Sequence, residues 1–244
     1  MTKFARFFVQ DVHAAGDSVA LDGSDAHKIR DVLRLKNGDE IEIIDSAANR
    51  FRALVEIAQH NVSARLQDRL AAAPQTRAQI SVAQGVPKGQ KMDFVVEKLT
   101  ELGAASIVPL KSERTIVTDV SAQKIERWRR LAKTAAQQSG RTEIPAIPDP
   151  VAFDDLLGAF GKYDVVLFPW ELASGPPLRE RLPALVQDAR SILVVIGPEG
   201  GFSHAEANAA ERAGGHLISL GGTILRTETA ALVALSILSY AMGV

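Results

Sequence analysis

Short apolar runs alternate with amphipathic stretches in the last third of the chain, and this alternation predicts its secondary structure. Ile192–Ile196 is brief, rich in β-branched residues and free of polar positions, as is typical of a strand buried on both faces. Ser203–Glu206 matches a capping box, so a helix is expected from there to about Ala213. A second strand is predicted over 216–220, and a largely apolar helix over Thr227–Met242.

The same alternation extends upstream to about residue 79. Strands are expected over 79–86, 106–110 and 163–168, and helices over 90–102 and 121–139. After residue 168 the sequence becomes irregular. Strands that alternate with helices predict an α/β unit, in which a mostly parallel sheet has helices on both faces.

The first 72 residues follow a different, β-rich pattern. Strands are expected over 3–9, 40–45, 51–57 and 62–66, with a short helix over 24–33 that Ser24 caps. This pattern predicts a small β-barrel or sandwich. The small and polar run 71–76 contains one proline and is typical of a linker, so two domains are predicted, 1–72 and 73–244.

The amino-acid composition limits the kinds of reaction and binding site that the protein can have. Hydrophobic residues make up 46% of the chain and the formal net charge is −1, so any RNA-binding surface has to be local. There is no cysteine, which excludes disulfides, thiolate metal sites and base methylation through a cysteine adduct. The five histidines are scattered, so no metal site is expected. Polar residues interrupt the C-terminal helix, which is short for a membrane span, and a cytoplasmic protein without membrane contact is expected.

Two of the predicted strands end in glycine loops that lead into helices, Gly197–Gly201 and Gly221–Gly222. Ligands of open α/β sheets bind at such positions. The first loop also fits the GxxG pattern of KH RNA-binding modules, but Pro198 and Glu199 argue against phosphate binding there. Neither a P-loop motif nor GxGxxG occurs. The alternative is that both loops serve chain topology alone.

The motif IGPEGGFS followed by LGxxILRTETA resembles the SPOUT superfamily of S-adenosylmethionine-dependent RNA methyltransferases. Within it, the chain is most similar to the family that methylates N3 of a uridine in 16S ribosomal RNA. The resemblance covers nearly the whole chain and includes 6–8, 27–34, 91–103, 112–114 and 137–141. It implies a trefoil-knotted catalytic domain, a PUA-like RNA-binding barrel at the N terminus, S-adenosylmethionine as cofactor and a homodimer. The implied partner is 16S ribosomal RNA or the small ribosomal subunit.

Three loops, 168–171, 196–201 and 220–225, are the candidates for holding the cofactor, since glycine-loop backbone and apolar side chains suit an adenosine group. The candidate residues are Phe168, Pro169, Trp170, Glu171, Ile196, Gly197, Pro198, Glu199, Gly200, Gly201, Leu220, Gly221, Ile224, Leu225 and Thr229.

Methylation of uridine N3 requires that its proton leave and that negative charge on the flanking carbonyl oxygens be stabilised. Arg226 is the candidate for charge stabilisation; the alternative is a salt bridge to Glu228 or Glu199. Glu228 and Glu199 are the candidate bases, provided that burial makes one of them more basic.

Basic residues are enriched over 111–141, where Trp128 lies among them. Such a run is either a solvated helix face or an RNA-binding patch, and Arg30 and Arg34 could equally complement a helix dipole. The RNA-binding candidates are Arg6, Arg30, Arg34, Lys88, Lys91, Arg114, Arg130 and Arg141. Two other functions remain open: a SPOUT enzyme that acts on transfer RNA or another base position, and a non-catalytic RNA-binding module that retains the pocket.

Overall fold

Two β-sheets organise the chain, one in each of two units. This computed structural model describes residues 4–21, 23–59, 61–72, 78–117 and 119–243. One unit is Met1–Gln75 with Ala136–Glu143, and the other is Thr76–Ala135 with Ile144–Val244. Most of the predicted linker, 71–76, lies outside the described residues.

As far as it is described, the first unit holds a five-stranded, mostly antiparallel sheet. Its strands are β1 (Ala5–Phe8), β2 (Ser18–Leu21), β3 (Glu40–Ile44), β4 (Arg50–Ala58) and β5 (Asn61–Arg69). Their order is β1-β3-β4-β5-β2, and β1 runs parallel to β3. Alternate residues of β4 are buried, as predicted, and Phe7, Ile43 and Phe51 lie in the apolar core of this unit.

The helix of this unit differs from the prediction of one helix capped by Ser24. An α-helix, α1 (Gly23–His27), continues into a π-helix over Lys28–Val32, so Ser24 lies inside the first turn. The N–H of Leu33 bonds to the carbonyl of Lys28 at 2.8 Å, five residues back, which is the π pattern. Strand β2 was not predicted.

The described part of the second unit contains six parallel strands in the order β11-β9-β10-β6-β7-β8. They are β6 (Gln79–Gly85), β7 (Ser106–Lys111), β8 (Val151–Ala152), β9 (Val165–Pro169), β10 (Ser191–Ile196) and β11 (His216–Ile218). The predicted parallel sheet is confirmed. Strand β11 ends at Ile218 and not at Leu220.

Helices cover both faces of this sheet, as predicted. They are α2 (Lys91–Glu101), α3 (Ala122–Ser139), α4 (Phe153–Gly158), α5 (Leu178–Val186), α6 (His204–Arg212) and α7 (Thr227–Met242), with a 3-10 turn over Phe160–Lys162. Along β10, Val194 belongs to the apolar cluster that includes residues of α2, α3, α5 and α7, whereas Leu193 belongs to the cluster that includes residues of α4 and α6. Helices α4 and α5 were not predicted; Pro183 inside α5 hid its pattern.

The topology determines where loops meet. From β6 the chain moves outward through β7 and β8, then returns so that β10 pairs on the other side of β6. The direction of winding therefore reverses between β10 and β6. In open α/β sheets a crevice forms at the carboxyl ends of the strands beside such a reversal.

Candidate active site

Loops that follow β9, β10 and β11 enclose a cavity of about 530 Å³ at the carboxyl edge of the parallel sheet. This volume is within the range of roughly 300–1,000 Å³ that is typical of small-molecule sites. The lining residues are Lys91, 169–171, 196–202, 219–227 and Ala230. Because these loops leave neighbouring strands in the same direction, the sheet itself brings them together.

The loop after β10 passes directly against the end of β6. A Cβ atom added to Gly85 would lie 2.4 Å from the backbone nitrogen of Pro198 and 2.7 Å from the carbonyl carbon of Gly197. Side chains cannot be accommodated at such distances without a backbone shift. Behind the same loop, the rings of Phe202 and Phe168 pack with centroids 4.3 Å apart. The wall of the cavity is therefore fixed from two sides.

A buried hydrogen-bond chain ties the last helix to this wall. The Gln84 side chain is fully buried, and its Nε2 donates to Oγ1 of Thr227 at 2.7 Å. The Thr227 hydroxyl in turn donates to the carbonyl oxygen of Gly197. Sequence reasoning missed both residues. A glutamine near the end of an apolar strand was the available signal, because a buried polar side chain needs a partner.

The segment between β7 and α3 is anchored beside the glycine loop through α6. The predicted capping box is confirmed: Oγ of Ser203 accepts the N–H of Glu206, and Glu206 accepts the N–H of Ser203. The Glu206 carboxylate also accepts the N–H of Glu113 at 2.8 Å. As a result, Arg114 reaches the loop and its Nη1 donates to the carbonyl oxygen of Gly200 at 3.0 Å.

Three charged groups meet at the edge of the cavity. The ammonium of Lys91 is 3.3 Å from Oε1 of Glu199 and 3.7 Å from Oε2 of Glu228. The same Glu199 oxygen accepts the N–H of Lys88 at 3.0 Å. Partial burial of the Glu199 carboxyl group opposes its ionisation, but hydrogen bonds from its own N–H, from Lys88 and from Lys91 prevail and lower its pKa. The condition for Glu199 to act as the base, that burial make it more basic, is therefore not met.

Arg226 lines the cavity at the N-cap of α7, and its side chain is exposed. The alternative of a salt bridge to Glu228 or Glu199 is not observed, since Arg226 has no ion-pair partner within the part of the chain that the structure describes. The guanidinium is thus available to a ligand. Glu228, in the first turn of the same helix, does not line the cavity, and its side chain is 16% exposed.

Most of the cofactor candidates line the cavity. The exceptions are Phe168, which is fully buried behind it, and Thr229, which is exposed on α7. Residues that sequence reasoning did not select also line it. These are Phe202, Ser219, Thr227 and Ala230, together with Lys91, an RNA-binding candidate; Gly222 and Thr223, inside the candidate loop 220–225, line it as well.

The RNA-binding candidates fall into different environments. Arg6 is 12% exposed; its guanidinium pairs with Glu42 and donates to the carbonyl oxygens of Gly140 and Arg141, which favours a structural role. Arg30 and Arg141 are half-buried in the first unit, and Arg34 is exposed there. Lys88 and Arg130 are exposed in the second unit.

Trp128 does not contribute to an exposed basic patch. Trp128 belongs to α3, and its side chain is fully buried. Its indole N–H donates to Asp93 at 3.1 Å. Arg127 pairs with the same carboxylate, with Nη2 at 2.6 Å. Part of the basic run on α3 therefore serves packing between helices, which the periodicity of the sequence did not reveal.

The comparison with known proteins decides the family. Residues 74–239 match the family model of the RNA methyltransferase domain. Over 230 residues the chain is 34% identical to ribosomal RNA small subunit methyltransferase E of Bacillus subtilis, with 91% of this chain and 89% of that protein covered. The chain belongs to the ribosomal RNA small subunit methyltransferase E family. The resemblance to such methyltransferases that the sequence motifs indicate is thus confirmed.

Solved structures agree with the family. The ribosomal RNA small subunit methyltransferase E of Neisseria gonorrhoeae, bound to S-adenosylmethionine, has a TM-score of 0.87 and 26% identity, with 97% of each chain covered. A Legionella pneumophila protein with the same bound cofactor has a TM-score of 0.85 and 28% identity over 98% of each chain. The predicted enzyme class and its cofactor are confirmed for the methyltransferase E family.

No cluster of three or more His, Asp or Glu side chains among the described residues is placed to hold a metal ion. No helix within those residues is both long and apolar enough to span a membrane.

Proposed function

We propose that this enzyme transfers a methyl group from S-adenosylmethionine to N3 of a specific uridine in 16S ribosomal RNA. The observation on which this depends is the cavity between the glycine loops, with the guanidinium of Arg226, which pairs with no carboxylate of the described residues, at its edge. Membership of the methyltransferase E family supports the ribosomal substrate. The substrate is the free RNA or the assembling small subunit.

The cavity suits the cofactor chemically. Backbone amides and carbonyls of Gly197–Gly201 and Gly221–Leu225 would hold the polar groups of adenosine, while Ile196 and Leu220 would contact the base. When bound, S-adenosylmethionine supplies an electrophilic methyl group and keeps the electron pair of the broken carbon–sulfur bond. Since transfer is an in-line displacement, most of the contribution of the loops is alignment.

The residues of the chain have to handle one proton and one developing charge. Glu228 accepts the proton from N3, whose electron pair then forms the bond to the methyl carbon. Its side chain is 16% exposed and follows Thr227, which lines the cavity, so the carboxylate has to turn toward the base to take the proton. Arg226 stabilises the negative charge that spreads onto the neighbouring carbonyl oxygens of the base. Glu199 is the poorer base because its hydrogen bonds lower its pKa.

Two finer features of the fold are part of this proposal. A trefoil knot is supported by the close approach of Gly85 to Pro198 and by the hydrogen bonds that join Gln84, Thr227 and Gly197. The five-stranded sheet of the first unit, as described, supports a PUA-like RNA-binding barrel. Arg30 and Arg34 in that unit, and Lys88, Arg114 and Arg130 in the other, are proposed to contact RNA phosphates.

The enzyme is also proposed to be a cytoplasmic homodimer that pairs through α7. Leu235 and Leu238 of this helix are buried in its own core, whereas Val233 is half-exposed and Tyr240 is 91% exposed. The latter two are seven residues apart and share one face. Sedimentation at micromolar concentration tests this: Val233→Glu should give a monomer, and a monomeric parent protein would contradict the dimer.

Mass-spectrometric mapping of 16S ribosomal RNA, from cells with and without the gene, tests the reaction directly. Loss of one 3-methyluridine supports it. Loss at another position or in transfer RNA favours the rival SPOUT activity. Cofactor binding without methylation of any RNA favours the non-catalytic module.

Arg226→Ala tests the assigned charge stabilisation. Single-turnover methylation should slow on the order of 100-fold with little change in cofactor affinity, because the guanidinium acts on the transition state. Arg226→Lys should remain slow, since an ammonium lacks the planar fork of donors. Arg212→Ala, which changes an exposed arginine at the end of α6, is the matched control. Equal rates for Arg226→Ala and Arg212→Ala would refute the role.

A further inference from the structure

A second cavity, of about 580 Å³, lies along β11, the strand at one end of the parallel sheet. It is lined by Trp170 and 172–174, by residues of α5 and α6, and by 214–217. Trp170 also lines the cavity of the glycine loops, so the two cavities are adjacent. The methyl transfer proposed above occupies only the first cavity, and the second is therefore available to another part of the substrate.

Arg181 supplies a positive charge to the second cavity. It is half-buried on α5, and its Nη1 donates to the carbonyl oxygen of Leu217 in β11 at 3.0 Å. This bond fixes the position of the guanidinium, which is within ion-pair distance of no carboxylate among the described residues. Because a guanidinium carries several N–H donors in a planar fork, donors remain for an anion, and phosphate matches that fork.

Three further polar side chains line the second cavity without adding positive charge. Asn208 and Glu211 are both exposed, and their spacing of three residues places them on one face of α6. Partial burial and the neighbouring cation of Arg181 lower the pKa of His216, so its imidazole is neutral at pH 7. The cavity thus combines one cation with a carboxylate, an amide and a neutral imidazole.

Two apolar side chains complete the lining that a ligand would meet. Trp170 is half-buried and Leu172 is 57% exposed, so both offer apolar surface to the cavity. A nucleotide has apolar base faces, polar base edges and a charged phosphate, and RNA-binding proteins hold unpaired bases against aromatic side chains. Inorganic phosphate would use Arg181 alone and would be repelled by Glu211. The lining therefore matches a nucleotide better than a simple anion.

We propose that the second cavity binds one nucleotide of the RNA substrate, a neighbour of the target uridine, with Arg181 on its phosphate and Glu211 and Asn208 on the edge of its base. The inference rests on the proposed function for the identity of the RNA. Because the two cavities share Trp170, a strand that places its target base at the first brings an adjacent nucleotide to the second. A carboxylate only accepts hydrogen bonds, so Glu211 favours guanine, whose Watson–Crick edge presents adjacent N–H and amino donors.

Arg181→Met tests the phosphate contact through the binding of 16S ribosomal RNA. The dissociation constant should rise about tenfold, and the slope of its logarithm against the logarithm of salt concentration should fall by about 0.7, the value for one phosphate of a single strand. The affinity for S-adenosylmethionine, measured by calorimetry, should not change. Arg181→Lys should restore the slope because it keeps the charge, and Arg179→Met, which changes an 83% exposed arginine of the same helix, is the matched control. If a folded Arg181→Met protein kept the slope of the parent, Arg181 would only cap the Leu217 carbonyl, and the proposal would be overturned.

A second measurement needs neither catalysis nor the Arg181 variants. The protein has two tryptophans, of which Trp128 is fully buried, so the indole N–H resonance that disappears in Trp170→Phe reports on the second cavity. With the first cavity saturated by S-adenosylmethionine, guanosine monophosphate should shift this resonance more than uridine monophosphate does, and Glu211→Gln should make the two alike. A resonance that neither nucleotide moves would overturn the site, and equal shifts in the parent would overturn the role of Glu211. Nucleotide binding by a protein that methylates no RNA would sustain the site while the proposed function fails.

Discussion

The two glycine loops at the cavity look alike in sequence but use glycine for different reasons. In the loop after β10, a Cβ added to Gly197 would lie 3.2 Å from the Phe202 ring. A Cβ added to Gly200 would lie 3.1 Å from Cβ of Arg114. In the loop after β11, a Cβ at Gly221 or Gly222 would meet no atom of the described residues within 4 Å. The loop after β10 is therefore a packed loop, whereas the loop after β11 is an open loop.

This difference predicts what each loop would contribute to a bound cofactor. The packed loop has little room to adjust, because its neighbours lie on the sheet and on the anchored Arg114 segment. The open loop includes Ile224, which is 87% exposed, and it has space to close over a ligand. Preformed contacts should therefore come mainly from Gly197–Gly201, and contacts that form on binding mainly from the second loop.

Gly85→Ala should disturb the packed loop most severely, because Gly85 lies directly against it. The new Cβ would lie 2.4 Å from the Pro198 nitrogen, and both neighbours are backbone, so the loop has to move. We expect a loss of about 3 kcal/mol in the free energy of unfolding, the upper range for overpacking, together with loss of cofactor binding. Urea denaturation and titration calorimetry measure the two effects.

Gly158→Ala is the control for that change, since its Cβ would meet no described atom within 4 Å. It should leave stability unchanged or raise it by up to about 1 kcal/mol. If Gly85→Ala behaved like Gly158→Ala, the contact between β6 and the loop would be wrong.

Gly200→Val should have the next largest effect, on binding more than on stability. A side chain at Gly200 points at Arg114, so the larger Val displaces either that arginine or the loop. Cofactor affinity should fall by about tenfold or more, equivalent to about 1.4 kcal/mol. Gly200→Ala should fall between the parent and Val. Unchanged affinity in a folded Gly200→Val variant would remove this loop from the pocket.

The sequence predicted what depends on local pattern. The parallel sheet followed from runs such as Ile192–Ile196, whose alternate residues do pack on opposite faces. The loops of the cavity followed from glycine-rich strand ends, because parallel strands share one carboxyl edge. The capping box at Ser203 was identified because it lies within four residues.

Contacts between distant segments could not be predicted in this way. Gln84 and Thr227 are 143 positions apart, and nothing in either local pattern indicates that they bond. The same holds for the close approach of Gly85 to Pro198, and for Trp128, whose basic neighbours suggested exposure while its indole faces Asp93. Burial of a single residue is decided by tertiary packing, which periodicity describes only on average.

The open loop offers the smallest and most discriminating test. Gly221 has φ of +140°, in a region that side chains disfavour, whereas the backbone of Gly222 is ordinary and its surroundings are open. Gly221→Ala should therefore cost about 1 kcal/mol in stability, and Gly222→Ala less than about 0.5 kcal/mol. Both should keep cofactor affinity within about threefold, or about 0.6 kcal/mol, because neither Cβ enters packed space. Thermal unfolding and calorimetry on this adjacent pair provide the comparison. Should Gly222→Ala weaken binding as much as Gly200→Val is expected to, the ligand itself would occupy the open space at Gly222, and the second loop would contact the cofactor as closely as the first.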